Sequence, residues 1–375
     1  MSPVMFIVIA TAFSLASLAF WAVALRRCLH GLPLRPFEPR RRVPWGLLDL
    51  AMIGVATLLV QLSLAALADR VLGIAPGVNI KGLPVDQLVS MLLAGSVLSA
   101  LTTAFALVLV AFRAGATIRD LGLNQSKLAG DLVLGLRAFV MLALPVYAVQ
   151  WLAQWVWLHW NQQRADHTLI KLLQERPVPS SWLLACFAAV LVAPLIEEYL
   201  FRVLLQGWLE NVATVLRRRR LGLAVTEQSI SQLLLGDVDA ARSIQPAGEG
   251  ETDRSPIADT QSTEDEDAAI DTLEDANPYR PPPAATISDT ATEPIADVGR
   301  RQDEPRPSAW PILVSSAIFA LMHWGNGPDP IPLFLLALGL GYLYQRTHRA
   351  MPCVVVHMLL NACSLAMLWL ELAAD

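Results

Sequence analysis

The chain has 375 residues, of which 54% are hydrophobic and only 16% charged, with a formal net charge of −5 and a mean hydropathy of +0.47. A soluble domain carries about 25% charged residues, so a water-soluble globular fold is excluded. The net charge averages long uncharged windows with an acidic stretch near 247–304, and gives no reason to expect a nucleic-acid partner.

Crossing about 30 Å of hydrocarbon takes about 20 apolar residues. Val4–Leu25 is the first such window and has no ionisable side chain. Its basic residues, Arg26 and Arg27, follow the window, which reads as an anchor with its N-terminus outside rather than a cleavable signal peptide. Trp45–Ala68, carrying Asp49, and Leu88–Phe112 come next. Asp131–Trp160 is the fourth, with Arg137 inside it and Trp151, Trp155, Trp157 and Trp160 suited to a membrane interface. Trp182 to about Trp208 is the fifth, and Trp310–Trp324, Ile331–Gln345 and Met351–Leu372 complete the series. The predicted fold class is an all-α polytopic membrane protein with about eight transmembrane helices.

Basic residues cluster at 26–42, 113–127, 217–220 and 346–349. All four clusters fall on one side if eight helices cross in turn, which makes that side cytoplasmic and both termini extracytoplasmic. The expected location is the cell membrane, multi-pass. Residues 221–308 contain the acidic run Glu264–Asp267 and Pro281–Pro283, and too little hydrophobic content to bury a core. They are expected to form a disordered cytoplasmic insertion, except that Leu221–Leu235 has helical periodicity and could run along the membrane surface. The organisation is then 1–178 for the first four helices, 179–220 and 309–375 for a membrane core, and 221–308 for the insertion. Cys28, Cys186, Cys353 and Cys363 show no metal-type spacing and read as small buried hydrophobes.

An ionisable group inside a membrane helix costs about 2.5–3.5 kcal/mol at the helix centre, so such groups carry the information. The fifth window contains Pro194-Leu-Ile-Glu-Glu-Tyr-Leu-Phe-Arg202. Glu198 and Arg202 are four residues apart and share a face, so they can pair. Glu197 is turned about 100° away and left for another partner, an asymmetry suited to one structural carboxylate and one general base. The sixth window ends in Phe319-Ala-Leu-Met-His323-Trp324, and the last contains His357-Met-Leu-Leu-Asn361. A neutral imidazole is a metal ligand or proton carrier, and an amide four residues on can orient it or hold an oxyanion. His30, His159, His167 and His348 lie at loop ends or in loops and receive no role.

Glu-Glu-x-x-x-Arg at 197–202, Phe-x-x-x-His at 319–323 and His-x-x-x-Asn at 357–361 resemble the three ordered motifs of the CPBP family. That family (also called ABI) comprises type II CAAX prenyl endopeptidases and bacteriocin-processing or self-immunity proteins. Gly339-Leu-Gly-Tyr-Leu-Tyr344 is similar to the family's lead-in to its last motif. The resemblance implies an eight-helix membrane fold whose motif residues converge on an internal cavity. It also implies proteolysis by a glutamate-activated water, with the histidines as metal ligands or oxyanion stabilisers. Carried over, Glu197 is the general base and Glu198 its neighbour, fixed by Arg202. His323 and His357 line the water site, and Asn361 holds the oxyanion. Two histidines and a glutamate could supply three ligands for zinc or another divalent metal, although Glu197 cannot readily be base and ligand at once.

Depth arithmetic at about 1.5 Å per residue puts Glu197 about 24 Å below the outer end of its helix and His357 about 9 Å from the cytoplasmic start of the last one, which agree. An upright sixth helix starting near Ser308 would leave His323 about 22 Å in, so convergence requires that helix to tilt or its first turns to lie along the interface. The expected partners are membrane lipids and a membrane-associated or C-terminal, CAAX-like peptide substrate. The alternatives are a catalytically inactive immunity or scaffold protein of the same fold, and a proton-coupled transporter, for which no repeat symmetry is visible.

Overall fold

The computed structural model describes residues 3–39, 42–74, 83–161, 168–236, 307–325 and 327–373. Its elements are helical throughout: α1 (Pro3–Leu29), α2 (Leu47–Leu72), α3 (Val85–Arg113), α4 (Leu128–Asn161), the short α5 (Thr168–Glu175), α6 (Pro179–Arg220), α7 (Glu227–Leu235), α8 (Trp310–Leu321), α9 (Pro330–Thr347) and α10 (Ala350–Leu372). The chain is an integral membrane protein: α1–α4, α6 and α10 are each long and apolar enough to cross a membrane. The sixth and seventh apolar windows form α8 and α9, of 12 and 18 residues. Their length and composition alone do not mark them as crossings, so the described helices give six such spans where the sequence predicts about eight. Proline sets the start of both, at Pro311 and at Pro330 and Pro332, because a first-turn N–H has no helical partner to lose. Between them, Gly325 and Gly327 take positive φ and turn the chain.

The main core lies where α4, α6, α9 and α10 meet, with Phe139, Val203, Leu204, Leu336, Leu340, Tyr344, Val356 and Leu360 all buried in it. The outward faces of α1 and α2 remain apolar and exposed, from Val4 through Leu25 and from Met52 through Leu67, as a lipid-facing surface requires. Cys28 and Cys186 also lie on exposed surface rather than buried as expected, and all four cysteines are free.

A close helix approach brings α10 onto α4 at Gly135. A Cβ added there would lie 2.6 Å from Val355 Cβ and 3.0 Å from Pro352 O, neither of which can move aside cheaply. The same crossing is tied by Tyr147 Oη, which donates to Leu360 O at 2.8 Å.

At one end of the bundle the basic loops meet. Glu38, between α1 and α2, accepts from Arg35 at 2.9 Å, from Lys127 before α4 at 3.1 Å, and from Arg349 between α9 and α10 at 2.9 Å. Arg349 also pairs with Asp131 of α4, Ala350 N–H bonds Gly122 O at 3.0 Å, and the His348 ring bonds Glu38 O at 2.9 Å. Burial works to raise the Glu38 carboxyl, but Lys127, Arg35 and Arg349 outweigh it and hold it below its ordinary value. Arg113 of α3 pairs with Asp49 of α2 at this end too. The loops at 26–42, 113–127 and 346–349 are therefore at one end by direct contact, as alternation of the flanking helices requires.

The helical periodicity read at Leu221–Leu235 is α7, which packs back on this end. Trp208 Nε1 donates to Leu233 O at 3.0 Å, and Thr226 caps the helix by accepting from Ser229 N–H at 3.2 Å. The folded core thus continues to Gly236, past the boundary at 221 that composition suggested. The disorder expected of the insertion concerns residues 237–306, which lie outside the described residues.

Substitution Gly135→Ala should destabilise the protein by about 1–3 kcal/mol through overpacking, measured as a lower unfolding temperature in detergent or nanodiscs. A second expectation follows from Glu38. Its carboxyl is depressed on folding, so it adds stability that is fully present above the ordinary value of 4.5 and lost as pH falls through the lower native value. The unfolding temperatures of the wild type and Glu38→Gln should differ near neutral pH and converge in acid.

Candidate active site

Helix α6 carries two stretches of π-helix, Cys186–Val192 and Glu198–Gln206, in which the backbone bonds run i to i+5 and one extra residue enters the turn. The first has a visible cause. Pro194 has no N–H to return to the preceding turn, and its ring crowds the carbonyl four residues back. Ala193 N–H is given to Ala188 O, so neither of the usual donors reaches Ala189 O. Asn361 of α10 fills the gap, its Nδ2 donating to Ala189 O at 2.7 Å. In the second stretch Gly207 N–H reaches back five residues to Arg202 O, at the level where the charged residues sit.

Glu198 and Arg202 are both fully buried and pair at 3.2 Å, as their four-residue spacing predicts. The other Glu198 oxygen accepts from His357 Nδ1 at 2.9 Å. Arg202 is further covered by the Phe319 ring, whose centroid lies 5.2 Å from its Cζ, within range of a cation–π contact. Phe319 also meets the rings of Phe201 at 5.2 Å, His323 at 5.1 Å and His357 at 6.0 Å. It is the hub of the site. The sequence pattern includes Phe319 but offers no signal for that role, because a phenylalanine in an apolar helix looks like any core residue.

Glu197 stands on the other side of this pair with 23% of its side chain exposed, while Glu198 has none. Its Oε1 faces His323 Nε2 at 4.0 Å and its Oε2 faces His357 Nε2 at 3.7 Å. These gaps are too long for direct hydrogen bonds. His323 reaches Glu197 because α8 ends at Leu321 and a turn carries the histidine past the helix end. Its Nδ1 is bonded to Phe319 O at 2.9 Å. Glu197, His323 and His357 thus come together, Glu198 and Arg202 lie directly behind them, and Asn361 is joined to the α6 backbone one turn away.

The tautomers follow from the partners. A carbonyl and a carboxylate can only accept, so Nδ1 of His323 and of His357 each carry the proton, and in the neutral rings each Nε2 presents a lone pair toward Glu197. Three acceptors then face one another, and an occupant of the space between them must bring protons or positive charge. A water does so directly. Two imidazoles with their far nitrogens anchored are also the donor chemistry of a metal site. Two ligands of one tetrahedral ion, each about 2.0–2.1 Å from it, lie about 3.4 Å apart, less than either gap here. Among the described residues, no group of three His, Cys, Asp or Glu side chains is arranged to hold an ion. The set does not fit a metal without a shift of the side chains.

Residues 297–363 match the family model described as type II CAAX prenyl endopeptidase Rce1-like. The segment contains the second and third motifs, with His323, His357 and Asn361, and the match supports the CPBP resemblance read from the sequence. No curated protein and no solved structure gives a match to the chain.

The buried pair yields a stability test. Arg202→Met leaves Glu198 with a fully buried charge held by His357 alone, and should cost about 3–5 kcal/mol. The double variant Glu198→Gln/Arg202→Met should recover part of that loss, read as unfolding temperatures of the purified proteins.

Proposed function

We propose that this CPBP-family membrane protein is an intramembrane endopeptidase in which Glu197 activates a water for attack on a peptide bond. The observation that carries the reading is the convergence of one partly open carboxylate with two imidazole Nε2 atoms at 3.7 and 4.0 Å, next to a second carboxylate that is fully paired. Glu198 is occupied by Arg202 and His357, which leaves Glu197 as the carboxylate free to take a proton. The Rce1-like segment supports protease activity at the level of the family.

A water between Glu197 and the two rings gives one proton to the carboxylate, while its second bonds an Nε2 lone pair. Its oxygen adds to the scissile carbonyl carbon, and the negative charge passes to the carbonyl oxygen. Asn361 spends one amide proton on Ala189 O, and its other N–H is the donor available to that oxyanion. Glu197, now protonated, passes its proton to the amine nitrogen as the C–N bond breaks, which restores the carboxylate. Glu198 and Arg202 act as positioning residues: the Glu198 bond fixes the His357 tautomer and ring plane.

The substrate class is a membrane-associated peptide or the C-terminal segment of a membrane-bound protein, CAAX-like in the sense the family name carries. The site lies close to the end of the bundle where the basic loops meet. His357 is seven residues from the start of α10, about 10 Å along the axis, within reach of a chain end entering from that side. With that end on the cytoplasmic face of the cell membrane, both termini are extracytoplasmic.

Glu197→Gln and His357→Ala should each lower the hydrolysis rate of a prenylated C-terminal reporter peptide by about 10²–10⁴-fold, the usual worth of a general base or its partner. Glu197→Gln should insert and purify like the wild type, and His357→Ala should insert but unfold at a lower temperature, because it removes a donor from buried Glu198. Cleavage at an unchanged rate in both would refute the protease assignment and favour the non-catalytic alternative.

A further inference from the structure

Beside the charged end of the bundle lies a cleft of about 680 Å³, separate from the Glu197 site. Four cations line it, Arg35, Lys127, Arg137 and Arg349, against the single carboxylate Glu38. Asp131 stands behind Arg349 and pairs with it. The wall below the charges is apolar: Ala129, Val133 and Leu134 share with Arg137 the stripe of α4 that faces the cleft. Charge at the top and hydrocarbon beneath is the polarity of a membrane interface.

Two details show that the protein itself does not satisfy these cations. Arg349 is buried, 8% exposed. It gives Nη1 to Asp131 and Nη2 to Glu38, yet its Nε has no bonding partner, and neither has the buried Nε of Arg35. Arg137 is exposed on α4 nine residues from its start, about 14 Å along the axis, and no ion pair is recorded for it among the described residues. An arginine on a lipid-facing helix surface at that depth is costly unless an anion or water meets it. Lys127, just before α4, and Arg137, nine residues into it, both line the cleft.

We infer that this cleft binds the phosphate of an anionic phospholipid, with Arg349, Arg35 and Lys127 around the headgroup, Arg137 on its acyl side, and the first acyl carbons against Val133 and Leu134. Basic pockets at helix ends on the cytoplasmic side are suited to anionic headgroups, and each lysine or arginine near the surface contributes about 1 kcal/mol of attraction. The depressed Glu38 carboxyl fits the same field, since it stays ionised among three cations and lends them a fixed arrangement. The site is independent of the peptide chemistry proposed for Glu197.

The test uses the full chain in phosphatidylcholine nanodiscs, doped with phosphatidylglycerol, and reads retained lipid by native mass spectrometry after gentle detergent extraction. The variant is Lys127→Gln/Arg137→Gln, which leaves the Arg349 pairs with Asp131 and Glu38 intact. The wild type should retain phosphatidylglycerol in preference to phosphatidylcholine, and the double variant should lose that preference by about tenfold or more, as two such contacts imply. Equal retention in the two proteins, or equal retention of the two lipids by the wild type, overturns the proposal. Inorganic phosphate at millimolar concentration should not displace the lipid. If it does, the cleft belongs to a soluble phosphate and the lipid assignment falls. Should the double variant unfold, Arg137→Gln alone decides, because its exposed side chain supports no other described group.

Discussion

An ionised carboxylate sealed inside a membrane protein has to be answered by its neighbours, and the fold is organised around how Glu198 is answered. Removing such a charge from water costs several kcal/mol even after relaxation. Arg202, one turn along the same helix, supplies the counter-charge at 3.2 Å, and His357 from α10 supplies the second donor at 2.9 Å. Phe319 from α8 closes the other face of the guanidinium. Three helices from distant parts of the sequence are thus held to one point, and the placement of Glu197 beside two imidazoles is a by-product of that requirement. Because Glu198 is fully engaged, Glu197 is not, and because His357 Nδ1 is turned to Glu198, its Nε2 is turned to Glu197.

The second centre of charge has the opposite design. At the loop end, Glu38 is only partly buried and gathers three cations from three connections. Here screening by water is available, so no single pair is decisive. What the arrangement contributes is registration. It ties the ends of α1, α4, α9 and α10 together, and so fixes how far α10 protrudes and at what depth His357 sits. The electrostatics of the bundle are divided into a buried group, Glu198, Arg202 and His357, that joins α6 to α10, and a more open cluster that joins the loops.

Much of this was legible from the sequence wherever the physics is local. The apolar windows give the helices, since twenty uncharged residues have few other places to go. The spacing of Glu198 and Arg202 gives their pairing, and three of the four basic clusters lie at one end of the bundle. What the sequence hid depends on departures from a regular helix. His323 faces Glu197 from a turn just past the end of α8 rather than from the helix itself. Asn361 looks like a free amide next to a histidine, yet one of its protons is engaged by the backbone of α6. Phe319 is invisible because its importance lies in which rings and ions surround it. The six long spans are evident from composition, whereas α8 and α9 are too short or too polar for composition alone to assign them to a crossing.

Pro194 and Asn361 lie 167 positions apart in the chain, yet they are two halves of one device. The proline unhooks a carbonyl from its own helix and the asparagine picks it up from another. A lineage that restored an N–H at position 194 would let α6 close its own ladder and leave the amide at 361 without its anchor. A lineage that lost the amide would leave the Ala189 carbonyl without the donor that now meets it. Across sequences sharing this architecture, the two positions should therefore change together or not at all, and the helix break in α6 should be read as part of the joint between α6 and α10.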